Sequence, residues 1–91
     1  MKIRYFAHFS DDAGCTEESI SGPATVMELL HLLADRHQEP MRSHLFSQDG
    51  QHASDDLFLL VNGRHLRQLN GLATPLNEED TIAIIPVTEA G

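Results

Sequence analysis

Six histidines are the side chains in this sequence that most directly suggest chemistry, because imidazole nitrogens are common metal ligands. On the predicted main helix, His31 has a second candidate ligand, Asp35 at i+4. A closed zinc site needs four ligands, and two ligands on an exposed helix face often occur by chance. The sequence therefore predicts no metal site. The six positions are His8, His31, His37, His44, His52 and His65.

The sequence also lacks motifs for nucleophilic catalysis and for phosphate binding. Cys15 lies in the acidic segment AGCTEES, which does not favour a thiolate, and it has no CxxC partner. The six serines have no GxSxG context, and there is no GxxxxGK(S/T) loop. No internal residue is therefore predicted to be catalytic.

The balance of charge argues against a nucleic-acid partner. Fourteen acidic and six basic residues give a formal net charge of −8 at pH 7. The basic residues are scattered, whereas binding to a phosphate backbone needs clustered Lys and Arg. The sequence has no signal peptide and no apolar stretch of about 18 residues. We therefore expect one cytoplasmic domain that binds neither nucleic acid nor a membrane.

The first half of the chain predicts two strands followed by a helix. Residues 2–9 alternate in the manner of a half-buried strand, and residues 17–21 form a weaker strand after the turn formers SDDAG. Thr25 and Glu28 have capping-box spacing, and the apolar stripe after them predicts a helix that ends near residue 37. A short second helix is predicted over residues 41–47.

Three more strands are predicted in the second half. Residues 57–61 are a continuous apolar run, Asn62-Gly63 is a tight-turn signal, and residues 64–67 form a short returning strand. The last strand covers residues 81–85. The order β-β-α-β-β-β predicts an α+β fold, a mixed sheet of four to five strands with one main helix on one face and the last strand beside the first.

The sheet face that the helix leaves uncovered is a candidate binding surface. Side chains of a strand alternate between faces, so part of the run 57–61 must point away from the helix. An apolar patch on such a face often binds a partner. The alternative is that the loop over residues 41–56 covers it. The side chains concerned are either Leu57, Leu59 and Val61 or Phe58 and Leu60.

Four segments of the sequence resemble the MoaD/ThiS family of sulfur carriers. They are MKIRYFA, ATVMELLHLLADRH, LLVNGRHL and the ending NGLATPLNEEDTIAIIPVTEAG. The resemblance extends over essentially the whole chain and is closer to MoaD, the small subunit of molybdopterin synthase. It implies a ubiquitin-like β-grasp fold and a carrier that is not itself an enzyme.

The resemblance also implies a reactive group and its partners. An adenylating enzyme of the ubiquitin-activating type (MoeB/ThiF-like) would use ATP to convert the terminal carboxylate of Gly91 to an acyl-adenylate, which then becomes a thiocarboxylate. A MoaE-like large subunit would receive the sulfur in molybdopterin or tungstopterin synthesis, and the carrier would bind no cofactor. The resemblance places Ile85, just before the proline, at a partner-facing position. The predicted partner-binding set adds Phe58 and Leu60 from the apolar run, with Arg64 and Arg67 at the rim of the patch.

Residues 1–86 are predicted to form the domain, and residues 87–91 a flexible tail that projects from the sheet edge. Pro86 lacks the N–H of a sheet ladder, so strand pairing is predicted to stop there. Five extended residues span roughly 16 Å. The tail residues are Val87, Thr88, Glu89, Ala90 and Gly91.

The end of the tail departs from the family pattern, which usually has two glycines. Here the last two residues are Ala90 and Gly91. Two alternatives to the sulfur carrier therefore stay open. One is a ubiquitin-like protein modifier, and the other is a β-grasp interaction module with an inert tail.

Overall fold

One five-stranded sheet and four helices make up the fold of residues 1–90, the part of the chain that this computed structural model describes. The strands are β1 (Lys2–Tyr5), β2 (Glu17–Ser19), β3 (Leu57–Val61), β4 (Arg64–His65) and β5 (Thr81–Pro86). The helices are α1 (His8–Ala13), α2 (Val26–His37), α3 (Met41–Leu45) and α4 (Val87–Ala90), and short 3-10 turns cover Leu66–Gln68 and Gly71–Ala73. Within this described part, no helix is long and apolar enough to cross a membrane.

The sheet is mixed, with the strand order β2-β1-β5-β3-β4. β1 and β2 form the predicted antiparallel hairpin, and β5 lies parallel to β1 as expected. β3 and β4 are joined by Asn62 and Gly63, whose φ angles of 52° and 84° are those of a tight type I′ turn. The predicted α+β plan is confirmed. β5 is the central strand, however, so the C-terminal segment leaves the middle of the sheet and not its edge.

α2 covers one face of the sheet and begins at the predicted cap. The Glu28 N–H donates to Thr25 Oγ1 at 3.2 Å, and the Glu28 carboxylate accepts from the Ala24 N–H at 3.3 Å. These bonds satisfy backbone donors that the first helical turn leaves unpaired. The apolar stripe of α2 is fully buried against the sheet. It consists of Val26, Leu29, Leu30, Leu33 and Ala34.

α1 corrects the prediction for the segment after β1, which was expected to be strand to residue 9 and turn to residue 14. The strand ends at Tyr5, because Ala7 has a φ of 51° and turns the chain into a helix. The Ser10 hydroxyl donates to the Ala7 carbonyl at 2.7 Å, and Gly14 ends the helix with a φ of 73°. Phe9 is fully buried. The apolar residue at position 9, which fitted the alternating strand pattern, is therefore buried from a helix and not from a strand.

A polar cluster connects the β1–β2 hairpin to α2. The Glu18 carboxylate accepts from the Tyr5 hydroxyl and lies 2.7 Å from His37 Nε2, and the Arg36 guanidinium lies 3.5 Å away. Burial disfavours the ionised carboxylate, but the hydrogen bonds from Tyr5 and His37 and the nearby charges outweigh it and lower the pKa of Glu18. Burial, together with the bond to Glu18, raises the pKa of Tyr5. The fold therefore stabilises the ionised form of Glu18.

Replacing Glu18 by glutamine should lower the free energy of unfolding by about 1–2 kcal/mol near neutral pH, because the amide cannot reproduce both hydrogen bonds. The folded-state pKa of Glu18 lies below its ordinary value of 4.5, so the native carboxylate contributes its full stability above pH 4.5. That contribution is lost as the pH falls through the folded-state pKa. Urea unfolding of wild type and Glu18→Gln at neutral and acid pH measures the effect. Glu17→Gln, at an exposed position, is the control, and a difference that does not shrink in acid would contradict the prediction.

Candidate functional site: the C-terminal segment and the open sheet face

The C-terminal segment stays paired with the sheet for longer than the sequence predicted. β5 extends through Pro86, which is opposite Leu57 of β3. The Val87 N–H then donates to the carbonyl of Asp56 at 2.8 Å. The prediction that pairing stops at Pro86 is therefore wrong. A proline at the end of a strand removes one donor, and the N–H of the next residue still bonds to the neighbouring chain.

The residues after Pro86 are helical in the described part of the tail. Val87–Ala90 form the single turn of α4, which packs against β3 and β5. The predicted extended conformation is therefore wrong for residues 87–90. Gly91, the predicted reactive residue, lies outside the described residues. Val87, the first residue of the tail, therefore lies against the sheet and is 41% exposed. We call this residue the base of the tail.

The open face is the name we give to Phe58, Leu60, Ala83 and Ile85, half-buried residues on the side of the sheet turned away from α2. Phe58 is opposite Ile85, and Leu60 is opposite Ala83. The alternating residues Leu59 and Ile84 are buried in the core beneath α2. Of the two alternatives from the sequence, the one that turns Phe58 and Leu60 away from the helix is confirmed.

The loop over residues 41–56 does not cover the open face. It begins with α3, which packs against α1 and α2, and Met41 and Leu45 are fully buried there. The end of the loop borders a groove beside β3. Phe58, Arg67 and Val87 all line this groove, so the structure brings two predicted partner-binding residues together with the first residue after the strand.

Arg64 is the predicted partner-binding residue that the structure places elsewhere. Arg64 is opposite Val61, which is buried in the core on the α2 side of the sheet. Directly opposed residues project to the same face, so Arg64 lies on that side and not on the open face. The open-face position on β4 belongs to His65, which is opposite Leu60 and has its ring 4.6 Å from that of Phe58. The predicted two-residue turn at Asn62 and Gly63 already pairs Leu60 with His65, so the sequence contained the signal for His65 once Leu60 is known to lie on the open face.

Cations flank the open face although the chain as a whole is strongly acidic. Arg4 is opposite Ala83 on the neighbouring strand, and its guanidinium lies 5.7 Å from the centre of the Phe6 ring. Among the side chains that the structure describes, neither Arg4 nor Arg67 is paired with a carboxylate. This arrangement suits a partner that presents apolar and acidic side chains. The basic residues that do form ion pairs are Lys2, Arg36 and Arg42.

The one helical His–Asp spacing noted in the sequence does not form a site. The His31 ring packs against Phe46 with centroids 4.7 Å apart. Asp35 instead pairs with Arg42 at 3.0 Å. Both side chains are exposed, and each has a different neighbour.

Comparisons with known proteins cover nearly the whole chain. A model of the ThiS family matches residues 3–89, while no curated protein sequence is significantly similar. The solved structure of small archaeal modifier protein 1 from Methanosarcina acetivorans has a TM-score of 0.79 at 29% identity, over 93% of this chain and 89% of that one. A Pyrococcus furiosus protein assigned as molybdopterin converting factor subunit 1 has a TM-score of 0.71 at 29% identity, over 93% of both chains. A chain of the Amycolatopsis orientalis BexX/CysO complex has a TM-score of 0.79 over 93% of this chain and 92% of that one, and its 21% identity shows the fold alone. These neighbours confirm the predicted β-grasp fold.

Proposed function

Because this chain belongs to the ThiS family, we propose that it is a sulfur carrier whose Gly91 carboxylate is adenylated and converted to a thiocarboxylate. The observation that carries the proposal is the position of the tail. The tail leaves the central strand of the sheet, and Val87 lines one groove with Phe58 of the open face. A partner bound to that face therefore lies beside the segment that carries the reactive carboxylate.

The carrier contributes a carboxylate and a tether to this reaction, and the partner contributes the catalytic groups. A carboxylate oxygen of Gly91 attacks the α-phosphate of ATP held by the adenylating enzyme, and pyrophosphate leaves. A sulfur nucleophile at the oxidation state of sulfide then attacks the acyl carbon. AMP leaves, and a thiocarboxylate is formed. ATP belongs to the partner, so we propose no cofactor bound to the carrier. We place the reaction in the cytoplasm, where ATP and a reduced Cys15 are both expected.

α4 must unwind before the carboxylate can enter a buried nucleotide site. A helical residue advances about 1.5 Å along the axis and an extended residue about 3.3 Å, so unwinding residues 87–90 adds roughly 7 Å of reach. One isolated helical turn is only marginally stable in water, so this step costs little. The hydrogen bond from Val87 to Asp56 marks the fixed base of the tether.

The open face is the docking surface in this proposal. Phe58, Leu60 and Ile85 supply the apolar contact, and Arg4 and Arg67 are positioned to meet acidic side chains. A MoeB/ThiF-like adenylating enzyme and a MoaE-like large subunit would use this face in turn. The Pyrococcus furiosus protein supports molybdopterin or tungstopterin synthesis as the destination of the sulfur, because that protein is assigned as a molybdopterin converting factor subunit.

A protein modifier is the second candidate function, and one specific observation favours it. The modifier protein from Methanosarcina acetivorans is as similar in sequence as the Pyrococcus furiosus protein, at 29% identity. A modifier would use the same activated Gly91 carboxylate but form an amide bond to a lysine of another protein.

Mass spectrometry after co-expression with the cognate adenylating enzyme distinguishes these functions. Exchange of one terminal oxygen for sulfur supports the carrier. Adducts between Gly91 and lysines of other proteins support the modifier. If neither product forms while the enzyme is active with ATP, both proposals fail and the interaction module remains.

Replacing Ala90 by glycine is expected to raise the rate of adenylation by about two- to fivefold. Glycine removes the Cβ that must pass into the nucleotide site, and it disfavours the helical turn by about 1 kcal/mol relative to alanine. Pyrophosphate release in the presence of the adenylating enzyme measures the rate. Thr88→Gly is the matched control, since it also loosens α4 but keeps the Ala90 methyl group. A rate that stays unchanged or falls in Ala90→Gly would show that the methyl group is no obstacle.

A further inference from the structure

Two histidines from different helices surround one nearly buried carboxylate. His8 and Asp12 lie on α1, and His44 lies on α3. Asp12 Oδ2 is 2.6 Å from His44 Nδ1 and 3.7 Å from His8 Nδ1, and the Asp12 side chain is only 6% exposed. The two imidazole centroids are 4.5 Å apart. One ligand atom from each of the three residues lies within 4.8 Å of the others. We call these three residues the α1–α3 cluster.

The second nitrogen of His8 identifies which of its atoms is available as a ligand. His8 Nε2 lies 2.8 Å from the Asp56 carboxylate. An ionised carboxylate can only accept, so Nε2 carries a proton, and in the neutral imidazole Nδ1 then keeps its lone pair. Within residues 1–90, this Nδ1 is buried and has no hydrogen-bond partner. Buried polar atoms without a partner are rare and need an explanation. A histidine held by a carboxylate through its other nitrogen is the usual arrangement of a metal ligand.

We propose that the α1–α3 cluster binds a divalent metal ion of the zinc type. His8 Nδ1, Asp12 Oδ2 and a nitrogen of His44 are the ligands, and Asp56 is the residue that positions His8. This proposal does not depend on the proposed sulfur-carrier function, because none of its three ligands belongs to the open face or to the tail.

These ligand atoms can form a tetrahedral site once the side chains adjust, because none of the three lies more than 4.8 Å from another. Bonds of about 2.0–2.1 Å place neighbouring ligand atoms of a tetrahedron about 3.3 Å apart. The 3.7 Å between His8 and Asp12 is already near this value, and the 2.6 Å between His44 and Asp12 must widen when the ion enters. The His8 and His44 side chains are 36% and 38% exposed, so the cluster lies near the surface although His8 Nδ1 itself is buried.

The ion replaces a proton that the cluster holds in its absence. Without metal, the short contact between His44 Nδ1 and Asp12 is a hydrogen bond in which the imidazole donates. Coordination through Nδ1 moves that proton to Nε2 when His44 is neutral, and releases a proton to solvent when His44 is protonated.

The bound ion would connect three segments of the fold. It joins α1 to α3 directly, and it reaches the start of β3 through Asp56. The carbonyl of the same Asp56 accepts the Val87 N–H at the base of the tail. An ion that binds the folded chain and not the unfolded one stabilises the fold by mass action.

Calorimetric titration of the chelator-treated chain with Zn²⁺ tests the proposal. We expect one ion per chain and a thermal midpoint that rises with Zn²⁺. His8→Gln and His44→Gln should each weaken binding by at least about 100-fold, and Asp56→Asn should weaken it by about 10–100-fold, the range for residues that orient a ligand. The matched control is His52→Gln, since His52 and Asp49 also form a histidine–carboxylate pair, at 2.9 Å, and should leave the affinity unchanged.

A spectroscopic measurement on the wild-type chain keeps the test valid if a variant fails to fold. Zn²⁺ should shift the NMR signals of the imidazole nitrogens of His8 and His44. It should leave the corresponding signals of His31 and His52 in place. Co²⁺ should give the intense visible absorption of a tetrahedral site. The proposal is overturned if no stoichiometric binding occurs, if His8→Gln and His44→Gln bind Zn²⁺ as wild type does, or if other histidines shift instead.

Discussion

Deletion of Gly91 is expected to abolish thiocarboxylate formation while leaving the fold intact. The shortened chain ends at the carboxylate of Ala90, about 3.3 Å short of the reacting phosphate when the tail is extended. Displacement of a reacting group by even 1 Å can cost about 100-fold in rate, so a loss of more than about 100-fold is expected. Mass spectrometry after co-expression with the adenylating enzyme measures the product, and pyrophosphate release measures the first step.

Two further variants separate the position of the carboxylate from other effects of the deletion. One extra residue after Gly91 should block the reaction as completely, because the carboxylate then lies too far along the chain. Thr88→Ala keeps the length of the tail and should retain most of the activity. A chain without Gly91 that still acquires sulfur would show that the terminal carboxylate is not the reactive group.

Replacing Phe58 by alanine is expected to weaken binding of the adenylating enzyme by roughly 30-fold or more. Phe58 is at the centre of the open face, opposite Ile85 and in contact with the His65 ring. Truncation of a central aromatic residue in an interface commonly costs about 2 kcal/mol or more, and each 1.4 kcal/mol is a factor of ten in affinity. Calorimetry with the purified enzyme measures the change.

The matched control for Phe58 is Leu32, a half-buried residue of α2 on the opposite side of the molecule. Leu32→Ala should leave the affinity unchanged, and the thermal midpoint of each variant shows whether the domain stays folded. Equal loss of binding in the two variants would mean that stability and not docking was affected. Unchanged binding in a folded Phe58→Ala chain would remove the open face from the proposed interface.

The main elements of the fold were predictable because each depends on interactions within a short segment. The capping pair Thr25 and Glu28 and the apolar stripe after them specify α2 without any distant contact. Asn62 and Gly63 specify the turn between β3 and β4, since both adopt the positive φ that a type I′ turn requires. The resemblance of the whole sequence to known sulfur carriers then supplied the β-grasp topology, which periodicity alone does not determine.

α1 shows where prediction from local patterns failed. The residues 6–9 fit an alternating pattern, but four residues are too few to distinguish a strand from the start of a helix. The positive φ of Ala7 and the full burial of Phe9 decide for the helix. The same error hid the relation between His8 and Asp12, which are neighbours at i and i+4 on a helix but not on a strand.

What the sequence by itself determined about this protein is its family, the order of its five strands and main helix, and a C-terminal glycine as the candidate reactive residue. Only the tertiary structure decided which faces and which distant residues come together. The packing of α2 over Leu59 and Val61 left His65 and not Arg64 on the open face, and the packing of α3 against α1 brought His44 to Asp12. The physical reason is that caps, turns and periodicity are local interactions along the chain. Contacts between residues 32 positions apart, such as Asp12 and His44, depend instead on how the whole core packs.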